Sequence, residues 1–167
     1  MRGDILHFTF WKSWALKRGL FMISVLYVDD WSPLLHIISR FLMEKGDIIV
    51  ETSLSPEEAC RKMDFFSFDV IITDYNSKDS AGIGLLQQTR QKGKMTPFVF
   101  FTLEQNRVME QEAARYGHVA FVRKIQNSDS SFDELEKKIR TTIPAPHSGN
   151  IIPKKDPIYP ISGEPSS

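Results

Sequence analysis

The chain has 167 residues, 41% of them hydrophobic, which suffices for one buried core with tails rather than two domains. Its 21 basic and 21 acidic residues cancel, excluding a generally basic nucleic-acid-binding surface and an acid-rich solvating chain. The single cysteine, Cys60, excludes an internal disulfide or a cysteine metal cluster and fits a reducing compartment, where it is expected to pack as a small buried hydrophobe.

Residues 1–22 read as a poorly ordered N-terminal extension, rich in aromatics but without a clean period and interrupted by Lys12, Lys17 and Arg18. A membrane-surface helix is the sharper reading of this segment and a frayed extension the plainer one; translation starting at Met22 is a third possibility. No apolar run reaches the roughly 18 residues that a spanning helix needs, so a cytoplasmic protein without membrane contact is expected.

From residue 23 to 143 strand and helix patterns alternate. "ISVLYV" is an apolar run suited to a central parallel strand. In "DWSPLLHIISRFLMEKG" Ser32 is expected to N-cap a helix, with Pro33 in its first turn, Gly46 as its stop and Leu34, Ile37, Ile38, Phe41 and Leu42 on its buried stripe. "DIIVET" is a second strand, and "SPEEACRKM" opens a helix with a capping box of Ser55 and Glu58. "FDVIITD" is a third strand ending in an acid, followed by the helix "GIGLLQQTRQK". "TPFVFFT", the helix "EQNRVMEQEAARYG" ending at Gly117, and "HVAFVRK" come next. The last helix, "SFDELEKKIRTTI", is expected to start at a second capping box, Ser131 with Glu134. Five consecutive βα units imply an α/β, doubly wound, five-stranded parallel sheet with helices on both faces. Residues 144–167 carry six prolines among Ser, Gly and Lys and read as a disordered solvated tail. The four histidines, His7, His36, His118 and His147, show no metal-ligand spacing.

In an open parallel sheet, ligands collect at the carboxyl ends of the strands, at the switch point. Asp29 and Asp30 end the first strand and Asp74 the third. If these strands are adjacent, three carboxylates meet, and their repulsion is relieved by a cation between them. Oxygen-only ligands favour Mg²⁺, which keeps a position open for a phosphoryl oxygen. Thr102 adds a hydroxyl and Lys124 a cation at two further strand ends. A carboxylate nucleophile, a metal, a hydroxyl and a lysine constitute a phosphoryl-transfer site.

"YVDD", "VIITD", "VFFT" and "AFVRK", with Gly82 eight residues after Asp74, resemble the motifs of response regulator receiver domains over residues 23–143. That resemblance implies the flavodoxin-like receiver fold with strand order 2-1-3-4-5 and a single-domain, chemotaxis-receiver-like protein. It implies that Asp74 accepts a phosphoryl group from a histidine kinase, that Asp29, Asp30, Asp74 and the carbonyl of Asn76 hold Mg²⁺, and that Thr102 and Phe121 switch a surface read by an unknown downstream protein. On this reading the chain is not an enzyme in the usual sense, although phosphotransfer and dephosphorylation are self-catalysed. It is a monomer or a weak phosphorylation-dependent dimer. Asn76 and Glu104 match the residue types of the fast-cycling chemotaxis receiver and are expected, with Leu103, to tune the phosphoryl lifetime. Trp31, Ser77, Lys78, Leu103 and Ile125 depart from the family pattern, and Ile125 makes a trans bond the expectation where the family has a cis-proline. Two rival functions are a phosphorylation-independent docking module and a Mg²⁺-dependent phosphatase. The phosphatase usually needs a second acid two residues after its nucleophile, where this chain has Asn76.

Overall fold

The computed structural model describes residues 21–75, 81–125 and 129–143, so the N-terminal extension before Phe21 and the Pro-rich tail lie outside the described residues. Five strands form the frame: β1 (Ile23–Val28), β2 (Ile48–Ser53), β3 (Val70–Thr73), β4 (Phe98–Thr102) and β5 (Val119–Arg123). All neighbours pair in parallel, in the order β2-β1-β3-β4-β5. This is the doubly wound topology that the alternating pattern implies. The helices are α1 (Ser32–Met43), α2 (Pro56–Phe65), α3 (Ala81–Gln91), α4 (Arg107–Ala114) and α5 (Asp129–Thr142).

Strand periodicity divides the core between the two faces of the sheet. Val25 and Tyr27 of β1, Ile72 of β3 and Phe101 of β4 pack with Leu35, Ile38 and Leu42 of α1 and with Leu135 and Ile139 of α5. On the other face Leu26, Ile71 and Phe100 meet Met63 of α2, Leu86 of α3 and Met109 of α4. Because helices cover both faces, β1, β3 and β4 are buried along their whole length, which is why their sequences read as continuous apolar runs.

Several local expectations are corrected. On α1 Ile38 and Leu42 are buried as expected and Leu34 and Phe41 pack at the margin of the core, but Ile37 is exposed and Leu35 and Ser39 are buried in its stead. Pro33 still falls in the first turn, but Trp31 takes the N-cap position without a side-chain cap and Ser32 is already helical. Helix α5 begins two residues before Ser131, so Ser131 is buried inside the helix rather than capping it. Cys60 is half-buried, and its thiol donates to Gln88 Oε1 at 3.1 Å. At α2 Ser55 caps as expected, its Oγ accepting from the Glu58 amide at 3.2 Å, while Glu58 reaches back one residue further, accepting from the Leu54 amide at 3.0 Å. Asn106, unremarked in the sequence, caps α4 by accepting from the Val108 and Met109 amides.

Arg90, at the end of α3, fastens the lower edge of the sheet. Its guanidinium donates to the carbonyls of Tyr116, Lys94, Thr96 and Gly117 at 2.8 to 3.0 Å. Partial burial pulls its pKa down, but a guanidinium stays charged. A lysine cannot reproduce this planar fork, because its donors radiate from one atom. Arg90→Lys is therefore expected to cost about 2 kcal/mol, since a charged hydrogen bond contributes about that much and several carbonyls lose their donor together. Urea unfolding monitored by circular dichroism checks this, and an unchanged midpoint would contradict it.

Candidate functional site

Strands β1 and β3 are neighbours, with Val28 opposite Thr73, so the residues that follow them emerge side by side. One is Asp29 and the other is Asp74. Lys124, directly after β5, reaches back over β4 to both: its Nζ donates to Asp29 Oδ2 at 3.0 Å and to Asp74 Oδ2 at 2.8 Å. The lysine side chain is 12% exposed, so solvent screens this triad only weakly. Its backbone amide is anchored too, donating to the Thr102 carbonyl at 2.7 Å.

Asp29 is held through both carboxylate oxygens. Its Oδ1 accepts from the Trp31 amide at 3.0 Å, and its Oδ2 also accepts from the Tyr27 hydroxyl at 3.2 Å. Burial first, then the charge of Asp29, pushes the Tyr27 hydroxyl far above its ordinary pKa, so it stays a proton donor. Thr102 ends β4 fully buried, and among the described residues its Oγ1 has no hydrogen-bond partner. An unpaired buried hydroxyl is costly and points to a partner that arrives from outside the fold.

Asp30 lies at the exposed rim beside Asp29. Among the described residues no three His, Cys, Asp or Glu side chains gather at metal-ligating spacing; Lys124 sits between the two acids that do come together. The available donors are nevertheless all carboxylate oxygens, the chemistry of a hard divalent cation. Asn76 lies outside the described residues.

Gly82 is buried at the start of α3. A Cβ there would lie 1.9 Å from the Asp74 carbonyl oxygen, so only glycine lets the helix approach the acid's own backbone. Leu103 and Ile125 each stand 50% exposed on the adjoining ends of β4 and β5, beside exposed Glu104. The described residues contain no cis peptide, so the Lys124–Ile125 bond is trans.

Phe121 turns inward rather than toward the triad. Its ring stacks on Phe100 at 5.0 Å and meets Tyr75 at 6.0 Å. Tyr75 escaped the sequence reading, although it follows Asp74 directly. Its hydroxyl donates to Glu112 Oε2 of α4 at 2.6 Å, and burial followed by that bond raises its pKa to about 12. A tyrosine next to an acid carries no signal in sequence; only the position of α4 reveals the pair.

A family model described as the response regulator receiver domain matches residues 25–140. The chain belongs to the response regulator receiver family. It is 28% identical over 117 residues, 69% of this chain and 94% of the other, to the chemotaxis protein CheY of Pseudomonas aeruginosa. The response regulator domain of Thermotoga maritima CheB matches at a TM-score of 0.64 with 26% identity, covering 72% of this chain and 96% of that one. The fold also matches the T. maritima response regulator TrrA, solved in complex with Mg²⁺ and beryllofluoride, at a TM-score of 0.61, 24% identity and 73% and 100% coverage. The five-stranded sheet in 2-1-3-4-5 order is thus that of a CheY-like receiver of two-component signalling. No helix among the described residues is long and apolar enough to cross a membrane.

The unpaired hydroxyl generates a prediction about this receiver. Thr102→Val keeps the shape and removes the buried unpaired oxygen, so it is expected to raise the unfolding free energy by about 1 kcal/mol or more. Urea unfolding measures it, and a destabilised variant would mean that the hydroxyl already has a partner.

Proposed function

We propose that Asp74 is the phospho-acceptor of this receiver, charged from a histidine kinase in a Mg²⁺-dependent reaction. The observation that carries this reading is the Lys124 ammonium held between Asp29 and Asp74, with a buried, unpartnered Thr102 hydroxyl at the neighbouring strand end. An Asp74 carboxylate oxygen forms a bond to phosphorus in line as the phosphorus–nitrogen bond of the phosphohistidine breaks, and the imidazole leaves with a proton. Lys124 neutralises charge on the transferred group, and Thr102 donates to one of its oxygens. Asp29, Asp30 and Asp74, with the carbonyl of Asn76, are the residues that would hold Mg²⁺. The ion supplies further neutralisation of the phosphoryl oxygens.

Drawing Thr102 and Lys124 toward the phosphoryl group biases a two-state equilibrium that a downstream protein reads. Phe121 and Tyr75 connect that change to α4 through their shared contact with Phe100 and the Tyr75–Glu112 bond. The exposed polar side chain of Glu104, with Asn76, is proposed to position the hydrolytic water and keep the phosphoryl state short-lived. The exposed Leu103 narrows access to it.

With acetyl phosphate and Mg²⁺, the intact protein is expected to gain one phosphoryl group by mass spectrometry, and Asp74→Asn to gain none while retaining its circular dichroism spectrum. A phosphoryl adduct of equal yield on the substituted protein would refute the assignment. Turnover of many phosphate esters by the wild type would instead favour a phosphatase.

A further inference from the structure

Tyr27 is the only aromatic residue of the central strand β1, and its oxygen is what needs a reason. The side chain is fully buried, in the cluster with Leu35, Ile38 and Leu135 on the face that α1 and α5 cover. A phenylalanine would fill the same space, whereas a hydroxyl taken out of water is costly unless it is paired. Its partner is Asp29 Oδ2 at 3.2 Å. Tyr27 lies opposite Thr52 of β2 and Ile72 of β3, so the sheet holds its backbone from both sides.

A carboxylate offers about four lone-pair positions to donors or to a cation. At Asp29 the Trp31 amide takes one on Oδ1, while the Tyr27 hydroxyl and the Lys124 ammonium share Oδ2. Two of these donors are immobile, one in the backbone and one in the core. Lys124 is not: it ends a flexible side chain and already serves Asp74 at 2.8 Å. An ammonium and a divalent cation cannot share one carboxylate oxygen without like-charge repulsion, so Lys124 is the donor that Asp29 gives up. Tyr27 then remains on Oδ2, a neutral donor that orients the carboxylate without repelling a cation. Its present 3.2 Å separation is long for a hydroxyl on a carboxylate, as fits an oxygen shared with an ammonium.

We propose that Tyr27 is a positioning residue for the divalent-cation site, its buried hydroxyl holding Asp29 in the orientation that binds Mg²⁺ when Lys124 turns away. The inference rests on the reading of Asp29, Asp30 and Asp74 as cation ligands and adds a residue that is not itself a ligand. Groups that orient a metal-binding carboxylate typically contribute about ten- to a hundredfold in metal affinity, and a single neutral hydroxyl belongs at the lower end.

The test compares the full chain with its Tyr27→Phe variant. Mn²⁺ binding is followed through the electron paramagnetic resonance of the free ion, and displacement by Mg²⁺ gives the Mg²⁺ affinity. Tyr27→Phe is expected to weaken both about tenfold while circular dichroism shows the fold intact. With acetyl phosphate, the Mg²⁺ concentration giving half the maximal phosphorylation rate is expected to rise by the same factor, and the rate at saturating Mg²⁺ to match wild type. A hydroxyl that only stabilises the fold would lower the urea midpoint and leave the cation affinity unchanged, and that result overturns the proposal while the ligand reading stands. Wild-type protein that binds neither ion overturns the ligand reading and this inference with it. If the variant does not fold, 3-fluorotyrosine at position 27 of the full chain supplies the measurement: its fluorine resonance is expected to move along the Mg²⁺ binding curve. A resonance unmoved at saturating Mg²⁺ overturns the proposal.

Discussion

One ammonium between two carboxylates organises the upper end of this sheet. Asp29 and Asp74 reach Lys124 from 95 and 50 residues away in the chain, so the contact exists only if β1, β3, β4 and β5 lie in that order and in register. Among the described residues a single positive charge faces two negative ones. In a weakly screened setting that imbalance favours an incoming cation and, once it is present, an anionic group that can take Lys124 as a partner.

Around this triad the fold invests in rigidity and leaves one group unsatisfied. Asp29 is fixed by the Trp31 amide and the Tyr27 hydroxyl, and Lys124 is tied through its backbone to Thr102. Gly82 lets α3 lie against the carbonyl of Asp74. Thr102 Oγ1 alone is buried without a partner among the described side chains. An unpaired buried hydroxyl is costly to the fold, and on the proposed function an arriving acceptor would relieve that cost.

The strands and the four charged or hydroxyl groups at their ends were legible because burial on both faces writes itself as continuous apolar runs that stop at a polar residue. Asp29, Asp74 and Thr102 announce themselves in that way, and Lys124 follows the exposed Arg123 of the edge strand β5. The lateral contacts between elements do not. Tyr75 reaches Glu112 across 37 residues and Arg90 gathers carbonyls from two loops, and neither partner carries a periodic or motif signal. Of the expected stripe of α1, Ile38 and Leu42 are buried and Leu34 and Phe41 pack at its margin, whereas Ile37 faces out and Leu35 faces in, because the placement of α1 over β1 and β2, which periodicity does not give, sets the centre of the stripe. Ser131 failed as a cap because α5 starts earlier, at Asp129, a choice between adjacent polar residues that local propensity does not make.

The receiver reading stands on whether the triad rearranges around a group bound to Asp74. A crystal structure of the full chain grown with Mg²⁺ and beryllofluoride measures this directly. The account predicts a beryllofluoride adduct on Asp74, with Thr102 Oγ1 and Lys124 Nζ each within hydrogen-bonding distance of a fluorine and Mg²⁺ bound by the neighbouring carboxylates. Crystals obtained under those conditions with Asp74 unmodified and Lys124 still bridging Asp29 and Asp74 would contradict it.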